Sequence, residues 1–466
     1  MRAGNSRLSR RQFIGATAAA AGAWAIHTVP RQCVAAGGLL SPNEKINLVT
    51  VGAGGQAGWN INELNNTGQV DFLAMCDVDT RRAGKNLQRF PGAKTYRDFR
   101  RMYDELEKKI DAVLVATPDH THAVAVMGAI KRGKHVYCEK PLAHSVWEVR
   151  EIIKAAREYK VMTQLGNQGH SSGDIRRFCE WVWDGAIGNV HTIHAGCNAP
   201  NSAMGRLGVL QEVEQVPANL DWDLWLGPAQ FRPYHSAYCP GSWRSWMPFG
   251  TGTTGDWMCH VVDPVFWALD LGAPESIQAK SDDVEYDPKK HGNDTFPRRS
   301  IITYKFAAKG DRGPVTLHWY NGNVQKPRPE NLGGPDRTVP ATGAVVLGDK
   351  AGITYGSHGA GGVRIFPEGA MRAYQAKLKT EPPRKKLPPP PRGHHWDWIN
   401  AMRTGKPAGS DFSLYGGPLT QLAVLGVIGI RCMGQELKWD NEAGRFTNSA
   451  EANALIKPVF REGWTL

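Results

Sequence analysis

Three short stretches hold side chains whose types and spacing can do chemistry. In "GTGTTGDWMCHVVDPVFWALD", Asp256 and His260 stand four residues apart, which puts both on one face of a helix. A histidine beside a carboxylate can be an oriented general base with a raised pKa, or a satisfied core hydrogen bond. In "CEKPLA", Glu139 and Lys140 precede Pro141 at the end of a predicted strand. Most such charges are solvated surface groups. A lysine at a strand's carboxyl end, with proline fixing the next backbone unit, can instead aim its ammonium at a substrate oxygen. In "VGAGGQAG", Gly52, Gly54 and Ala57 fit G-x-G-x-x-A. The first glycine permits a tight turn, the second lets the backbone approach a diphosphate, and the small alanine lets helix pack on strand. Asp77 follows 20 residues after Ala57, where a carboxylate accepts the hydrogen bonds of an adenosine ribose. That carboxylate repels a 2′-phosphate and favours NAD, while Arg81 and Arg82 keep NADP open. The Asp-x-x-x-His spacing could also join His120, His122 or His395 at a metal. No HExxH or cysteine cluster accompanies it, so no metal is assigned.

These residues need elements to position them. "KINLVTV", "VDFLAMCDVD", "IDAVLVATP", "KHVYCEKP" and "KVMTQLGNQ" read as buried strands, with helical stretches such as "VWEVREIIKAAREY" between them. Strands alternating with helices predict an α/β Rossmann domain, a doubly wound parallel sheet over residues 45–165. Beyond Asn167 the strand candidates "VHTIHAGC", "SIITYKF", "VTLHWY" and "GAVVLGD" come with fewer helices. They predict an α+β domain over 166–466 with a mixed, largely antiparallel open sheet. "QKPRPENLGGPDRTVP" and "EPPRKKLPPPPRG" read as surface loops or stiff connectors, and the chain returns to helix in "HHWDWINAMRTG" and "GGPLTQLAVLGVIGIRCMG". On the helix carrying Asp256, the residues Trp257, Val261, Val262, Phe266 and Leu269 form the expected buried side. Pro264 removes a helix hydrogen bond just after His260 and predicts a kink.

Composition narrows the partners. The 466 residues are 41% hydrophobic and 21% charged, an ordinary globular balance. Of the net +12, the charges of Arg2, Arg7, Arg10, Arg11 and Arg31 lie in the leader. The remainder is modestly basic and scattered, with no lysine-rich block, which speaks against nucleic-acid binding. The eight cysteines are dispersed and form no CxxC, so neither a disulfide scaffold nor a zinc ribbon is expected. At the start, four arginines precede a weakly apolar run from Phe13 to Ile26, the anatomy of a secretory signal over residues 1–36. The run is shorter than the ~20 apolar residues a membrane helix needs, and no later run is read as long enough. Ser9-Arg10-Arg11-Gln12-Phe13-Ile14 resembles the twin-arginine signal, whose pathway exports proteins already folded. The expectations are a periplasmic protein, handled by the twin-arginine export machinery, with no membrane anchor once the signal is removed.

The glycine turn with its Asp77, then "ATPDHTH", "CEKPLA", "GAIGNV" and "GDWMCHVVD", together resemble the Gfo/Idh/MocA oxidoreductases, which include glucose-fructose oxidoreductase and inositol dehydrogenase. The resemblance covers about residues 45–466. "WRSWMPFGTGTTGDWMCH" and the closing "NSAEANALIKPVFREGW" are similar to its exported planctomycete-type branch. It implies that Lys140, Asp256 and His260 face nicotinamide and substrate. It further implies a cofactor site at Gly52, Ala53, Gly54, Gln56, Ala57, Asp77, Thr117, Pro118, His122, Glu139, Lys140 and Asn167. Dimers or tetramers through the open sheet are implied by the family alone.

The expected reaction is hydride exchange between a secondary alcohol of a sugar, glycoside or polyol and NAD, with NADP possible. His260 takes the hydroxyl proton, Asp256 supports the imidazolium and Lys140 holds the alkoxide. His170, Trp243 and Arg244 lie in stretches expected to line the sugar pocket, although core packing accounts equally well for tryptophan. A protein exported folded can carry its NAD with it. A trapped cofactor needs a second substrate to restore its redox state, hence ping-pong or redox-neutral turnover. NAD-dependent glycoside cleavage through a keto sugar is the alternative, disfavoured by the intact Lys140. A non-catalytic sugar-binding protein is the second alternative.

Overall fold

Apolar, β-branched Ile46–Val51 (β1) lies at the centre of a six-stranded sheet in the computed structural model, which describes residues 44–466. The export signal read over residues 1–36 lies outside the described residues. The sheet order is β3-β2-β1-β4-β5-β6, where β2 is Val70–Cys76, β3 Lys94–Tyr96, β4 Ala112–Val115, β5 His135–Cys138 and β6 Thr163–Leu165. All its pairings are parallel. Strands β1, β4 and β5 are buried at every residue, as a sheet covered on both faces requires. Helices α1 (Gln56–Asn66), α2 (Thr80–Arg89), α3 (Phe99–Leu106), α4 (Asp119–Ile130) and α5 (Val146–Tyr159) make the crossovers. The order reverses between β1 and β4, so a crevice opens at their carboxyl ends, where ligands of such sheets bind.

The second sheet has nine strands in the order β13-β12-β11-β7-β10-β9-β8-β14-β15. They are β7 Val190–Cys197, β8 Ser276–Lys280, β9 Ser300–Phe306, β10 Val315–Asn321, β11 Gly343–Gly348, β12 Gly352–Gly356, β13 Arg364–Phe366, β14 Glu436–Asp440 and β15 Arg445–Phe446. Strand β10 runs parallel to β7, and the other pairings are antiparallel. Alternation along β9 sends Ile302, Tyr304 and Phe306 into the core and leaves Ile301, Thr303 and Lys305 on the other face, the signature of a half-covered sheet.

Helices α6 (Gly173–Trp183), α7 (Gly252–Val261) and α8 (Asp263–Ala268) precede the second half of that sheet. The stretch expected as one helix breaks at Val262, and Pro264 sits in the first turn of α8, where its missing N–H costs nothing. His260 therefore lies in the last turn of α7. Val261, Val262 and Phe266 are buried as expected, whereas Trp257 and Leu269 are only half-buried.

Late in the chain, α9 (His394–Thr404) packs Trp398, Ile399 and Met402 against Ile46, Leu48 and Leu114 of the first sheet. Helix α10 (Gly417–Arg431) corrects one reading of the sequence. With the π-turn Phe412–Gly416 it forms a 20-residue apolar helix, long enough by composition to cross a membrane. It is instead a core helix, with Leu419, Leu422, Leu425 and Ile430 buried in the largest cluster.

Residues 219–250 form a strap from the second domain to the first. Trp222, Trp225, Tyr234, Tyr238, Trp246 and Phe249 give it a small aromatic core of its own.

Candidate active site

The glycine turn sits at the switch point, between the end of β1 and α1. Gly52 has φ +89°, and a Cβ there would lie 2.5 Å from the Ala116 carbonyl oxygen, so only glycine lets the β1 and β4 loops touch. Gly54 makes room for a neighbour other than the diphosphate expected from the sequence. A Cβ on it would meet the Arg82 carbonyl oxygen at 2.8 Å, so the turn is packed on the start of α2. The N-terminus of α1 is capped by no side chain; its Ala57 and Gly58 N–H groups turn back to the Gly54 and Gly55 carbonyls at 3.1 and 3.0 Å, and Gly54, Gly55 and Gln56 bring the helix's positive end to the cleft, an arrangement that suits a diphosphate. Asp77 accepts the Ala53 N–H at 2.8 Å and the Asp79 N–H at 2.9 Å. Burial raises its carboxyl above the ordinary value, against those backbone bonds.

Gly52, Gly54, Gln56, Asp77, Thr117, Pro118, Glu139 and Lys140 line one continuous cleft, and Gly55, Asp79, Arg82, Arg97 and Trp225, which the sequence reading did not assign to the site, join them. Ala57 is buried under the turn. Glu139 is buried and accepts hydrogen bonds at 2.8 Å from both Asn60 and Gln168. The described residues thus fit a dinucleotide. Two predicted contacts lie behind the cleft wall. His122 bridges the carbonyls of Pro141 (2.7 Å) and Thr117 (2.8 Å), tying together the two loops that carry Lys140 and Thr117. Asn167 is fully buried between Asp263 and Ser410.

Lys140, at the carboxyl end of β5, reaches Asp256 on α7. Its Nζ donates to Oδ1 at 2.6 Å and to the main-chain carbonyl at 2.9 Å. Arg244 adds an ion pair at 3.0 Å to the same oxygen, and Asn201 donates to Oδ2 at 3.1 Å. Burial alone would push the Asp256 carboxyl up. The charges of Lys140 and Arg244, with the bonds from Lys140 and Asn201, outweigh it and hold the group well below the usual carboxylate range. Trp243 lies under the Arg244 guanidinium at 4.2 Å and also faces the cleft.

The expected Asp256–His260 hydrogen bond is absent. Helical spacing does place them on one face, but two cations claim the carboxylate, and charge-assisted bonds win over a neutral imidazole. His260 Nδ1 is buried with no partner. Burial first, then the charge of Lys140, lowers its pKa far below the ordinary value, so the ring is neutral. The ring stacks on His358, centroids 4.2 Å apart, and Trp257 stands edge-on to both. His358 is a residue the sequence did not reveal. It sits after β12 in a left-handed conformation (φ +55°), followed by Gly359 (+83°) and Ala360 (+61°). A Cβ on Gly359 would be 2.0 Å from the Gly169 carbonyl oxygen, so this loop is locked against the end of β6.

His170, expected in the sugar pocket, has its polar edge committed to the core. Its Nδ1 pairs with Asp263 at 2.9 Å, and the ring is stacked on Trp267 and packed against Tyr415. Asp263 also accepts the Tyr415 hydroxyl at 2.6 Å. The other histidines weighed as metal ligands are held elsewhere: His120 on the carbonyls of Phe249 and Trp225, His395 on Asn60 and Tyr137. The seven cysteines among the described residues are free and buried.

A dinucleotide cleft at the switch point of a Rossmann sheet, with Lys140 of that domain paired to Asp256 and with His260 on helix α7 of a second, open-sheet domain, is the architecture of the two-domain NAD-binding oxidoreductase class. A family model described as an oxidoreductase family with NAD-binding Rossmann fold matches residues 46–167, and that of the family's C-terminal alpha/beta domain matches 194–312. The chain belongs to the Gfo/Idh/MocA oxidoreductase family, and its first domain is an NAD-binding Rossmann domain. It is 34% identical over 155 residues to an inositol 2-dehydrogenase of Rubrobacter xylanophilus, a match covering 31% of this chain and 42% of that protein. It is 31% identical over 113 residues to a 2,7-anhydro-N-acetylneuraminate hydratase of Escherichia coli, covering 24% and 30%. These matches span less than half of each relative. Solved structures of the same fold include the WlbA dehydrogenase of Bordetella pertussis with NADH and UDP-GlcNAcA (TM-score 0.54, 14% identity, covering 86% of this chain and 99% of that one). Another is an aldose-aldose oxidoreductase of Caulobacter crescentus complexed with glycerol (TM-score 0.52, 16% identity, 85% and 100%).

Proposed function

We propose that the protein moves a hydride between a secondary alcohol of a sugar, glycoside or polyol and NAD, and keeps the cofactor bound between turnovers. The observation that carries this reading is the 2.6 Å pair of Lys140 and Asp256 beside a neutral His260, at the end of the strand that borders the dinucleotide cleft. The bound nicotinamide supplies a hydride acceptor or donor at one carbon of the substrate. Lys140 donates to the alcohol oxygen and stabilises the negative charge that grows there. Asp256 fixes the position of Lys140 rather than that of His260. His260, neutral and with a free ring nitrogen, accepts the hydroxyl proton. Trp243 and Arg244 offer a flat apolar face with a charged edge, which suits a sugar ring.

Cofactor retention is supported by the strap, whose Trp225, Pro240 and Trp243 line the same cleft as Gly52 and Asp77. The twin-arginine-like leader extends the reading to folded export and a periplasmic location, consistent with seven cysteines that stay unpaired. Assembly as dimers or tetramers through the uncovered face of the second sheet belongs to the same proposal. The relative named a hydratase favours one variant, a redox-neutral reaction in which oxidation and reduction happen on one substrate.

The test is to purify the folded protein without added nucleotide, denature it, and identify what is released. Incubation with carbon-deuterated sugars and polyols then reads label transfer to the nicotinamide. Stoichiometric NAD(H) and label transfer support the proposal. Aglycone release without net redox change selects glycoside cleavage, and tight sugar binding with no exchange at any carbon selects a binding protein.

A further inference from the structure

Arg82 stands where the dinucleotide cleft meets the strap. It is the third residue of α2, a helix capped by Asp79, whose carboxylate accepts the N–H groups of Arg81 and Arg82 at 3.0 and 3.2 Å. Its backbone is wedged under the glycine turn, since the space a Cβ on Gly54 would need is filled by the Arg82 carbonyl. Its side chain then turns back over the same turn. One terminal nitrogen lies 3.1 Å from where a Cβ on Gly55 would be, beside the uncapped N-terminus of α1, and the other donates to the Pro240 carbonyl of the strap at 3.2 Å. The guanidinium thus touches the diphosphate cradle with one arm and the roof with the other. Arg81, its neighbour, points to solvent, with a loose 3.9 Å contact to Asp79.

The strap is fastened at both ends. Near its start, Asp79 pairs with Leu220 as an antiparallel bridge, Asp221 N–H bonds the Val78 carbonyl at 2.9 Å, and Asn219 donates to Asp79 at 2.7 Å. At its far end, Thr251 donates to Asp119 at 2.6 Å, and the His120 ring holds the Phe249 and Trp225 carbonyls. Both fastenings are made to loops at the carboxyl ends of β2 and β4, on either side of the glycine turn. The strap's middle, the part that Arg82 holds, lines the cleft between these two fastenings.

We infer that Arg82 is a latch: its guanidinium pairs with the dinucleotide's diphosphate while bonded to the Pro240 carbonyl, so cofactor release requires both bonds to break together. A planar guanidinium has five donors and can serve two acceptors at once. The bound diphosphate in turn strengthens the hold on the roof, because it fixes the arginine in the orientation Pro240 needs. This inference rests on the reading of a retained NAD.

The experiment compares full-length wild type with Arg82→Ala, Arg82→Lys and Arg81→Ala. It measures nucleotide per chain after purification, and the loss of NADH fluorescence when preloaded NADH is chased with excess NAD. The expected result is slow release from wild type and Arg81→Ala. Release should be roughly 10- to 100-fold faster from Arg82→Ala, the worth of one charge-assisted hydrogen bond, with Arg82→Lys between. The Arg82 side chain is surface-exposed, so the variants fold, and an unchanged thermal midpoint checks this. If wild type and Arg82→Ala release NADH equally slowly, the latch is wrong and retention stands. If wild type itself purifies empty and exchanges NADH as fast as Arg82→Ala, retention and latch fail together.

Discussion

Lys140 Nζ stands 2.6 Å from Asp256 Oδ1 and joins the two domains at the wall of the cleft. The pair has one exposed end, toward the cleft, and is backed by Arg244 and Asn201 on the Asp256 side. Lys140→Ala removes the donor to the alcohol oxygen and leaves Asp256 with Arg244. Turnover of a sugar or polyol found by label exchange should drop about 10²- to 10⁴-fold, with nucleotide content unchanged. Activity within threefold of wild type in Lys140→Ala would falsify the assignment.

Asn201 tests how Asp256 is tuned. Asn201→Ala deletes a hydrogen bond to the ionised carboxylate, so the group's pKa moves up from its depressed value. The Asp256 carboxylate band, followed by infrared titration with wild type as reference, should protonate at a higher pH in the variant. Identical titration in wild type and variant refutes the role.

Buried histidines set the acid stability. Burial holds His120 and His395 at about 3 and His135 and His394 at about 4. The unfolded chain binds those protons below about 6.5 and the fold does not, so stability present near neutrality is lost as pH falls below that value. Each such histidine contributes a slope of up to about 1.4 kcal/mol per pH unit. Glu148, raised by burial to about 7, acts with the opposite sign: the fold keeps its proton and loses stability as pH rises toward 7. Urea midpoints should therefore decrease from pH 6.5 to 4.5, and more steeply in Glu148→Gln. A flat profile contradicts this account.

The loop that presents His358 depends on Gly359. Gly359→Ala forces an L side chain into φ +83° and against the Gly169 carbonyl, at a cost of about 2–4 kcal/mol. Gly362→Ala, at φ +66° with open space around it, should cost only about 1 kcal/mol. Equal thermal midpoints for the two variants would show that the Gly169–Gly359 contact is not formed.

Thiol chemistry offers a simple check on the unpaired cysteines. All seven described cysteines are buried, so a thiol reagent should leave these seven unlabelled in the native protein and reach them only on unfolding, as peptide mapping reads. Added reductant should not move the thermal midpoint. Rapid labelling at any of the seven, or a midpoint lowered by reductant, contradicts the fold.

The sequence alone determined what local pattern encodes. Alternating strand and helix periods located the Rossmann sheet, the glycine turn with Asp77 located the dinucleotide cleft, and the period-2 strands of the second domain marked an open sheet. The Pro264 break was legible because a missing N–H is a local property. Spacing also put Asp256 and His260 on one helical face, yet side-chain pairing is decided by whatever else reaches the same space. Lys140 comes from a distant part of the chain and Arg244 from the strap just before the helix, and together they took the carboxylate that the helix offered to histidine. For the same reason His170 turned inward to Asp263, and His358 arrived beside His260 through a glycine contact between residues 169 and 359, with no signal in either local stretch. Only the tertiary structure, by setting which charges are desolvated together, decided that Asp256 serves Lys140 and that a strap from the second domain roofs the cofactor cleft of the first.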